Sequence, residues 1–266
     1  MIRIASRHNP RLREVARLIA SSRDRRRARR AILEGEHVVS EYLARFGAPE
    51  ALVVNEDAAI RPGIAALVAR VPAASVLLLP RALFDGLGAL PPDIGVLAVA
   101  AAPAPAAISA IGGALVLFLE AIQDPGNLGS MLRSAAAFGV DAVVLSPDCA
   151  FPWAPKVLRA GQGAHFRVAI HEDGDLIATA RAFRAAGGRM LATVVDGGVP
   201  LPRVRADGRI ALAIGNEGSG LSAALLAEAD EVVTIPMPGG TESLNAAAAA
   251  AVALYEIARG RVGTSR

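Results

Sequence analysis

Apolar residues along this chain of 266 residues recur with two distinct spacings. Between Arg11 and Ala20, Leu12, Val15, Ala16, Leu18 and Ile19 follow a helical period, and Glu36–Phe46 repeats it with Val38, Val39, Tyr42 and Leu43. Short apolar runs at Ala51–Asn55, Ser75–Leu79 and Gly95–Ala100 read as strands, with a helix over Gly63–Val71 between the first two. These elements predict a small α/β domain over residues 1–100. The stretch Ala101–Ala107 carries two prolines and predicts an extended spacer, so a linker is placed at 101–110 and a second domain at 111–266. In that second domain the apolar runs are Ala114–Leu119, Ala142–Leu145, Arg189–Val195, Ile210–Ile214 and Val232–Ile235. Helical segments at Leu128–Phe138, Asp175–Ala186 and Ser222–Ala227 lie between several of them, and Ser243–Arg259 closes the chain as a helix. Strands this apolar along their whole length cannot face water on one side, which predicts a parallel sheet covered on both faces. No internal repeat is visible.

Composition adds what the pattern leaves open. A hydrophobic content of 53% supports a sizeable core. The longest apolar stretches, Gly95–Pro105 and Gly112–Leu119, are broken by Gly or Pro before the ~20 residues that a membrane-spanning helix needs. The first residues contain arginines without an apolar signal core. No membrane association is expected, and the cytoplasm is the expected location. Cys149 is the single cysteine, which leaves neither a disulfide framework nor a cysteine-based zinc site, and no metal is expected. The net charge of +3 is unevenly placed. Residues 1–45 hold twelve arginines against five carboxylates, a surplus of seven, so the remainder is mildly acidic. A basic segment on an acidic body suits a polyanion; a solvated helix face or a frayed linker gives the same composition.

In open α/β sheets ligands bind beyond the carboxyl ends of strands, and three loops stand out there. The first runs from Glu120 to Gly139. Asp124-Pro-Gly makes its turn, Asn127 is placed as the N-cap of the next helix, and Arg133 looks out from a face shared with Ser130 and Ala137. An ordinary capped helix with a surface arginine has the same pattern. The second, Ile214–Ser222, sets Glu217 among Gly215, Gly218 and Gly220, which let the backbone turn sharply and approach a ligand. The third, IPMPGGTESLN from Ile235 to Asn245, ends in six consecutive alanines, Ala246–Ala251. Ser243 or Thr241 is the expected cap of that terminal helix, with Asn245 in its first turn. Neither a Gly-Lys-Ser/Thr phosphate loop nor a GxGxxG fingerprint is present.

Taken in order, these loops resemble the three sequence motifs of the SpoU/TrmH family of RNA ribose 2′-O-methyltransferases, in the SPOUT superfamily. The matching stretches are NLGSMLRSAAAFG (127–139), IGNEGSGL (214–221) and IPMPGGTESLNAAAAAAVALYE (235–256). The segment Phe151–Phe166 also resembles the family, with Gly161 where many members carry serine. The opening Ser6-Arg-His-Asn-Pro-Arg11 and Ile32–Glu36 are similar to the family's substrate-binding domain. The resemblance implies an α/β fold whose parallel sheet carries a C-terminal trefoil knot, preceded by a small α/β ribosomal-protein-like domain. It implies S-adenosylmethionine as cofactor, RNA (rRNA or tRNA) as substrate, and a homodimer through the methyltransferase domain. Carried over position by position, Thr193, Gly215, Ile235, Met237 and Leu244 contact the cofactor. Asn127, Arg133, Glu217, Ser243 and Asn245 form the catalytic surroundings. Arg11, Arg25, Arg26 and Arg27 are the RNA-contacting residues suggested by the basic segment. A guanidinium stays protonated in proteins, so Arg133 suits a phosphate clamp better than a proton acceptor. Two other classes remain: an RNA-binding member of the fold without transfer activity, and a nicotinamide-nucleotide enzyme on an ordinary open sheet, which the missing glycine fingerprint disfavours.

Overall fold

The computed structural model describes residues 1–88, 93–104 and 114–263. Residues 105–110 of the expected linker lie outside the described residues. Two compact units are present, one formed by Met1–Ala104 with Trp153–Phe166, the other by Pro105–Pro152 with Arg167–Arg266. Ala102 and Pro103, at the start of that linker, belong to the first unit: the Ala102 amide donates to Arg29 O and Arg29 donates to Pro103 O.

The first unit is built on a five-stranded mixed sheet of β1 (Ile2–Arg3), β2 (Arg30–Glu34), β3 (Ala51–Asn55), β4 (Val76–Leu79) and β5 (Val96–Ala101), in the order β1-β4-β3-β5-β2. β1, β4 and β3 run parallel, and β5 is antiparallel to both its neighbours. Helix α1 (Pro10–Ala20) starts where Asn9 caps it and Pro10 presets its first turn, and it buries Leu12, Val15 and Leu18 on the sheet with Ile32, Val53 and Leu77. α2 (Ser22–Ala28), α3 (Glu36–Phe46), α4 (Pro62–Ala69) and α5 (Arg81–Asp85) complete the main helices of this part of the chain. The sequence pattern did not mark β1, β2, α2 or α5. α2 has no apolar stripe at all, being SRDRRRA; it is held by its Ser21 cap and by Arg25.

Arg25 corrects an expectation. It is only 7% exposed, and its guanidinium donates to Leu18 O at 2.5 Å and Ile19 O at 2.8 Å, so it satisfies the last carbonyls of α1 and does not face solvent as a phosphate contact. Arg25→Ala is expected to destabilise the protein by about 1–3 kcal/mol, because buried carbonyls lose a charged donor. Arg26→Ala and Arg27→Ala, at exposed positions, stay within about 0.5 kcal/mol of wild type in the same denaturant titration.

The second unit is an all-parallel, seven-stranded sheet, as its apolar runs predicted. The chain makes β6 (Leu115–Leu119), α6 (Pro125–Ala137) and β7 (Ala142–Leu145), contributes α7 (Pro155–Gly161) to the first unit, and continues with β8 (Ala169–His171), α8 (Leu176–Ala185) and β9 (Arg189–Thr193). β10 (Val199–Pro200), β11 (Ile210–Ile214), α9 (Ala223–Leu226), β12 (Glu231–Thr234) and α10 (Ala246–Gly263) follow. The strand order is β10-β12-β9-β11-β6-β7-β8. β6 and β11, side by side in its middle, bury every residue. Val116 and Phe118 point into a cluster with Ala180, Phe183 and Leu225, and by alternation Leu115, Leu117 and Leu119 point to the opposite face. α10 packs along α6, with Ala250, Ala253 and Leu254 fully buried, so the alanine run permits close contact as well as favouring a helix. Segment 153–166, counted with the second domain on sequence, packs in the first unit instead. Arg159 of α7 reaches the buried Glu34 carboxylate at 2.5 Å, and Phe166 meets Tyr42 edge-on at 5.5 Å. No helix among the described residues is long and apolar enough to cross a membrane.

Candidate active site

The parallel strands β6, β11, β9 and β12 all end at the same edge of the sheet, and the loops leaving them carry the polar side chains singled out above. After β11 the chain folds back on itself within five residues. Asn216 and Gly220 exchange backbone hydrogen bonds at 3.1 and 2.9 Å, and Gly220 adopts φ +68°, where a side chain would be strained. The Asn216 carboxamide shapes this turn from within. Its Oδ1 accepts from Gly218 N at 2.8 Å and Ser219 N at 3.3 Å, and its Nδ2 donates to Ala121 O at 2.9 Å in the loop after β6. Glu120 adds a second tie, accepting from Ser222 N at 2.7 Å and Ser222 Oγ at 2.8 Å, while Ser222 caps α9. Asn216, Glu120 and Ser222 were not among the sequence candidates. The signal for Asn216 was present in Asn-x-Gly, where asparagine bonds its own backbone two residues on.

Held by these ties, Glu217 at the tip of the turn gathers three donors on one oxygen. Its Oε1 accepts from Asn127 Nδ2 at 2.5 Å, from Asn245 Nδ2 at 2.6 Å and from Ala246 N at 3.2 Å. Asn245 Nδ2 also donates to Asn127 Oδ1 at 3.0 Å, which closes the triangle. The carboxylate therefore sits on the first amide of α10, where the helix dipole favours negative charge. Two caps differ from the sequence expectation. Asp124 caps α6, accepting from Asn127 N at 2.7 Å, so Asn127 is inside the first turn with its side chain left for Glu217. Asn245 caps α10, its Oδ1 accepting from Ala247 N and Ala248 N; Ser243 and Thr241 lie outside the helix and exposed. In both cases the residue nearer the ideal cap offset won, because the Pro125 ring starts α6 earlier and the Pro/Gly loop starts α10 later.

Beside this triangle lies a cavity of about 260 Å³. Thr193, Gly215, Ile235, Met237 and Leu244, the five residues expected on sequence to contact a cofactor, all line it. Glu217 and Ser243 line it too, so Glu217 belongs to both the cavity and the polar triangle. Its walls are mainly aliphatic, from Ile214, Leu221, Leu226, Ile235, Met237 and Leu244. Along residues 235–244 the only backbone–backbone hydrogen bond among the described residues is Gly240 N to Met237 O at 3.4 Å. Backbone amides and carbonyls of this loop are thus left to solvent or to a ligand. Apolar walls with a few polar atoms and unpaired backbone fit the flat, polar-edged body of a nucleoside.

Arg133 is exposed on α6 and makes no hydrogen bond to the triangle or ion pair with a carboxylate among the described residues. Arg11, Arg26 and Arg27 are exposed on the first unit, Arg11 donating to Ala74 O at 3.2 Å. Cys149 is buried, its thiol donating to Leu119 O at 3.3 Å, and burial pushes its pKa up, which suits a packing role.

The chain is similar to known proteins. The family model described as SpoU rRNA Methylase matches residues 114–255. The chain is 31% identical over 237 residues to the Bacillus subtilis 23S rRNA (guanosine(2553)-2′-O)-methyltransferase RlmP, covering 89% of this chain and 92% of that protein. It is 37% identical over 236 residues to an uncharacterised tRNA/rRNA methyltransferase of Mycobacterium tuberculosis, covering 86% and 80%. The solved structure of the SpoU methyltransferase AviRb from Streptomyces viridochromogenes, in complex with the cofactor AdoMet, superposes with a TM-score of 0.83 at 27% identity, covering 96% of this chain and 100% of that one.

Proposed function

The chain belongs to the SpoU rRNA methylase family, and from that premise we infer that it transfers a methyl group from S-adenosylmethionine to a ribose 2′-hydroxyl of structured RNA, with rRNA as the substrate. The observation that carries this reading is Glu217, which lines the nucleoside-sized cavity and anchors the Asn127–Asn245 triangle at its edge. Bound there, the cofactor supplies a sulfonium-activated methyl carbon. The chain's own contribution is positional, since most of the acceleration available to an in-line transfer comes from orientation. Thr193, Gly215, Ile235, Met237 and Leu244 hold the nucleoside, in large part through backbone groups of the loops. Asn127, Glu217 and Asn245 lock three loops to one another, and Ser243 presents its hydroxyl at the cavity wall. Arg133, exposed and without a carboxylate partner among the described residues, clamps the RNA phosphate next to the target ribose and stabilises negative charge developing on the 2′-oxygen.

Arg133→Lys tests that role. A lysine keeps the charge and loses the planar fork, so the single-turnover rate falls about 100-fold with the shape of its pH profile unchanged. Full turnover by the lysine variant counts against the clamp, and an alkaline limb that moves with the substitution counts for Arg133 as proton acceptor.

The same reading makes the C-terminal segment a trefoil knot and the first unit a ribosomal-protein-like RNA-binding domain. It makes the working form a cytoplasmic homodimer through the methyltransferase domain. Support for the dimer is the exposed apolar pair Val252 and Tyr255 on α10. Support for RNA is the surface position of Arg11, Arg26 and Arg27. tRNA is the second substrate reading, favoured by the tRNA/rRNA wording of the mycobacterial relative. Transfer of labelled methyl to separated rRNA and tRNA, followed by mapping of ribose methylation in cells with and without the protein, decides between them; no transfer to either would overturn the reading.

A further inference from the structure

The first unit contains a cavity of about 270 Å³ between α1 and the sheet, remote in sequence from every residue of the proposed active site. Its floor is apolar and buried, made by Val15 and Leu18 of α1, Leu77 of β4 and Val99 of β5. Its rim is charged. Arg30 holds two carboxylates at once, Nη1 to Glu14 Oε1 at 2.5 Å and Nη2 to Glu50 Oε2 at 2.8 Å. That leaves Glu14 Oε2 and Glu50 Oε1 as acceptors at the cavity edge, each carboxylate tied to Arg30 through its other oxygen. Arg11, also on the rim, donates once to Ala74 O and pairs with no carboxylate among the described residues. Most of its five donors therefore remain for an anion.

An apolar slot, carboxylate acceptors and a guanidinium with donors to spare describe a ligand with a flat body, an amino group and a phosphate. We propose that this cavity takes one unstacked nucleotide of the RNA substrate, with an amino-bearing base (guanine, adenine or cytosine) on the apolar floor, its amino group donating to Glu14 or Glu50, and its phosphate on Arg11. The volume lies just under the range of about 300–1,000 Å³ usual for drug-sized ligands and suits a single nucleotide. Sequence-specific RNA readers take splayed bases from loops and bulges in this way, whereas phosphate contacts position RNA without reading it. The site thus supplies the base selection that the cationic surface lacks. It rests on the RNA-methyltransferase reading for the source of the nucleotide.

The test uses the full chain saturated with S-adenosylhomocysteine, so that nucleotides do not report on the cavity of the second unit. GMP, AMP, CMP and UMP are titrated in turn and followed by saturation-transfer NMR. At least one amino-bearing nucleotide binds saturably, and UMP binds about tenfold more weakly or less. Arg11→Gln, a change at an exposed position, and Ser75→Trp, which fills the slot, each weaken binding about tenfold. Should Ser75→Trp fail to fold, Arg11→Gln alone carries the result. The proposal is overturned if none of the four binds saturably at millimolar concentration, or if binding is indifferent both to the base and to Arg11→Gln. Methyl transfer to bulk rRNA, measured in parallel, separates the two readings. Transfer without nucleotide binding overturns this site alone, and nucleotide binding without transfer overturns the enzyme and leaves the site standing.

Discussion

Replacing Glu217 with alanine lowers kcat/KM for methyl transfer to RNA by about 100-fold while the protein stays folded. One carboxylate oxygen takes hydrogen bonds from three points on two segments: Asn127 on α6, and Asn245 with the Ala246 amide at the start of α10. Hydrogen bonds to an ionised acceptor are roughly twice as strong as neutral ones, so the triangle loses its centre rather than one of its edges. Glu217 is exposed, and the freed donors turn to water, which keeps the cost in global stability small. The loss falls on preorganisation: three loops that were pinned together sample other arrangements, and in-line geometry is held for a smaller fraction of the time. Glu217→Gln keeps an oxygen of the right reach without the charge and retains about a tenth of the activity. Steady-state kinetics with a thermal melt on each variant give the answer. Wild-type kinetics in the alanine variant would remove the triangle from the catalytic surroundings.

Gly215→Ala weakens cofactor binding by a different route. A Cβ on Gly215 would stand 2.2 Å from both the carbonyl carbon and oxygen of Gly220 and 2.4 Å from Leu221 N. These are backbone atoms of the turn that carries Glu217, and no rotamer change relieves the clash. The turn must move off the end of β11, at a cost of about 1–3 kcal/mol. Because Gly215, Glu217 and Leu221 line the same cavity, its wall moves with them. S-adenosylhomocysteine affinity, measured by calorimetry, falls about 10- to 100-fold, at 1.4 kcal/mol per factor of ten. Gly218→Ala is the control: its Cβ would meet only Asn216 Oδ1, at 3.5 Å, in ordinary contact, and affinity is retained. Equal affinity for the two variants would show that the 214–222 turn does not shape the cofactor wall.

Much of the fold was legible from spacing. The runs at Ala114–Leu119 and Ile210–Ile214 became β6 and β11, buried along their whole length, as strands of a parallel sheet covered on both faces are. Among what spacing missed were elements without a period to read. α2 is a helix of arginines around one buried guanidinium, and β1 and β10 are two residues long. Cap positions slipped by two or three residues at both functional helices, since several Asx and Ser residues near each start compete and only backbone geometry chooses among them. For the site, the five residues expected to contact a cofactor all line one cavity, yet Asn216 and Glu120, which hold the turn in place, were passed over because each makes its decisive bond to a distant loop.

By itself the sequence determined what depends on neighbours a few residues away: helix and strand periods, the glycine turns, the clustering of arginine in the first 45 residues, and the motifs that mark the family. The tertiary structure decided which of those local pieces meet. Asn127 lies 90 residues before Glu217 and 118 before Asn245, and the three share one oxygen only because β11 pairs with β6, so that their loops leave the same edge of the sheet. It also decided that Arg25 is buried while Arg26 and Arg27 are not, and that α7 packs with Glu34 in the first unit. Strand order and burial are set by the summed packing of the whole chain, and no window of sequence short enough to show a period contains that sum.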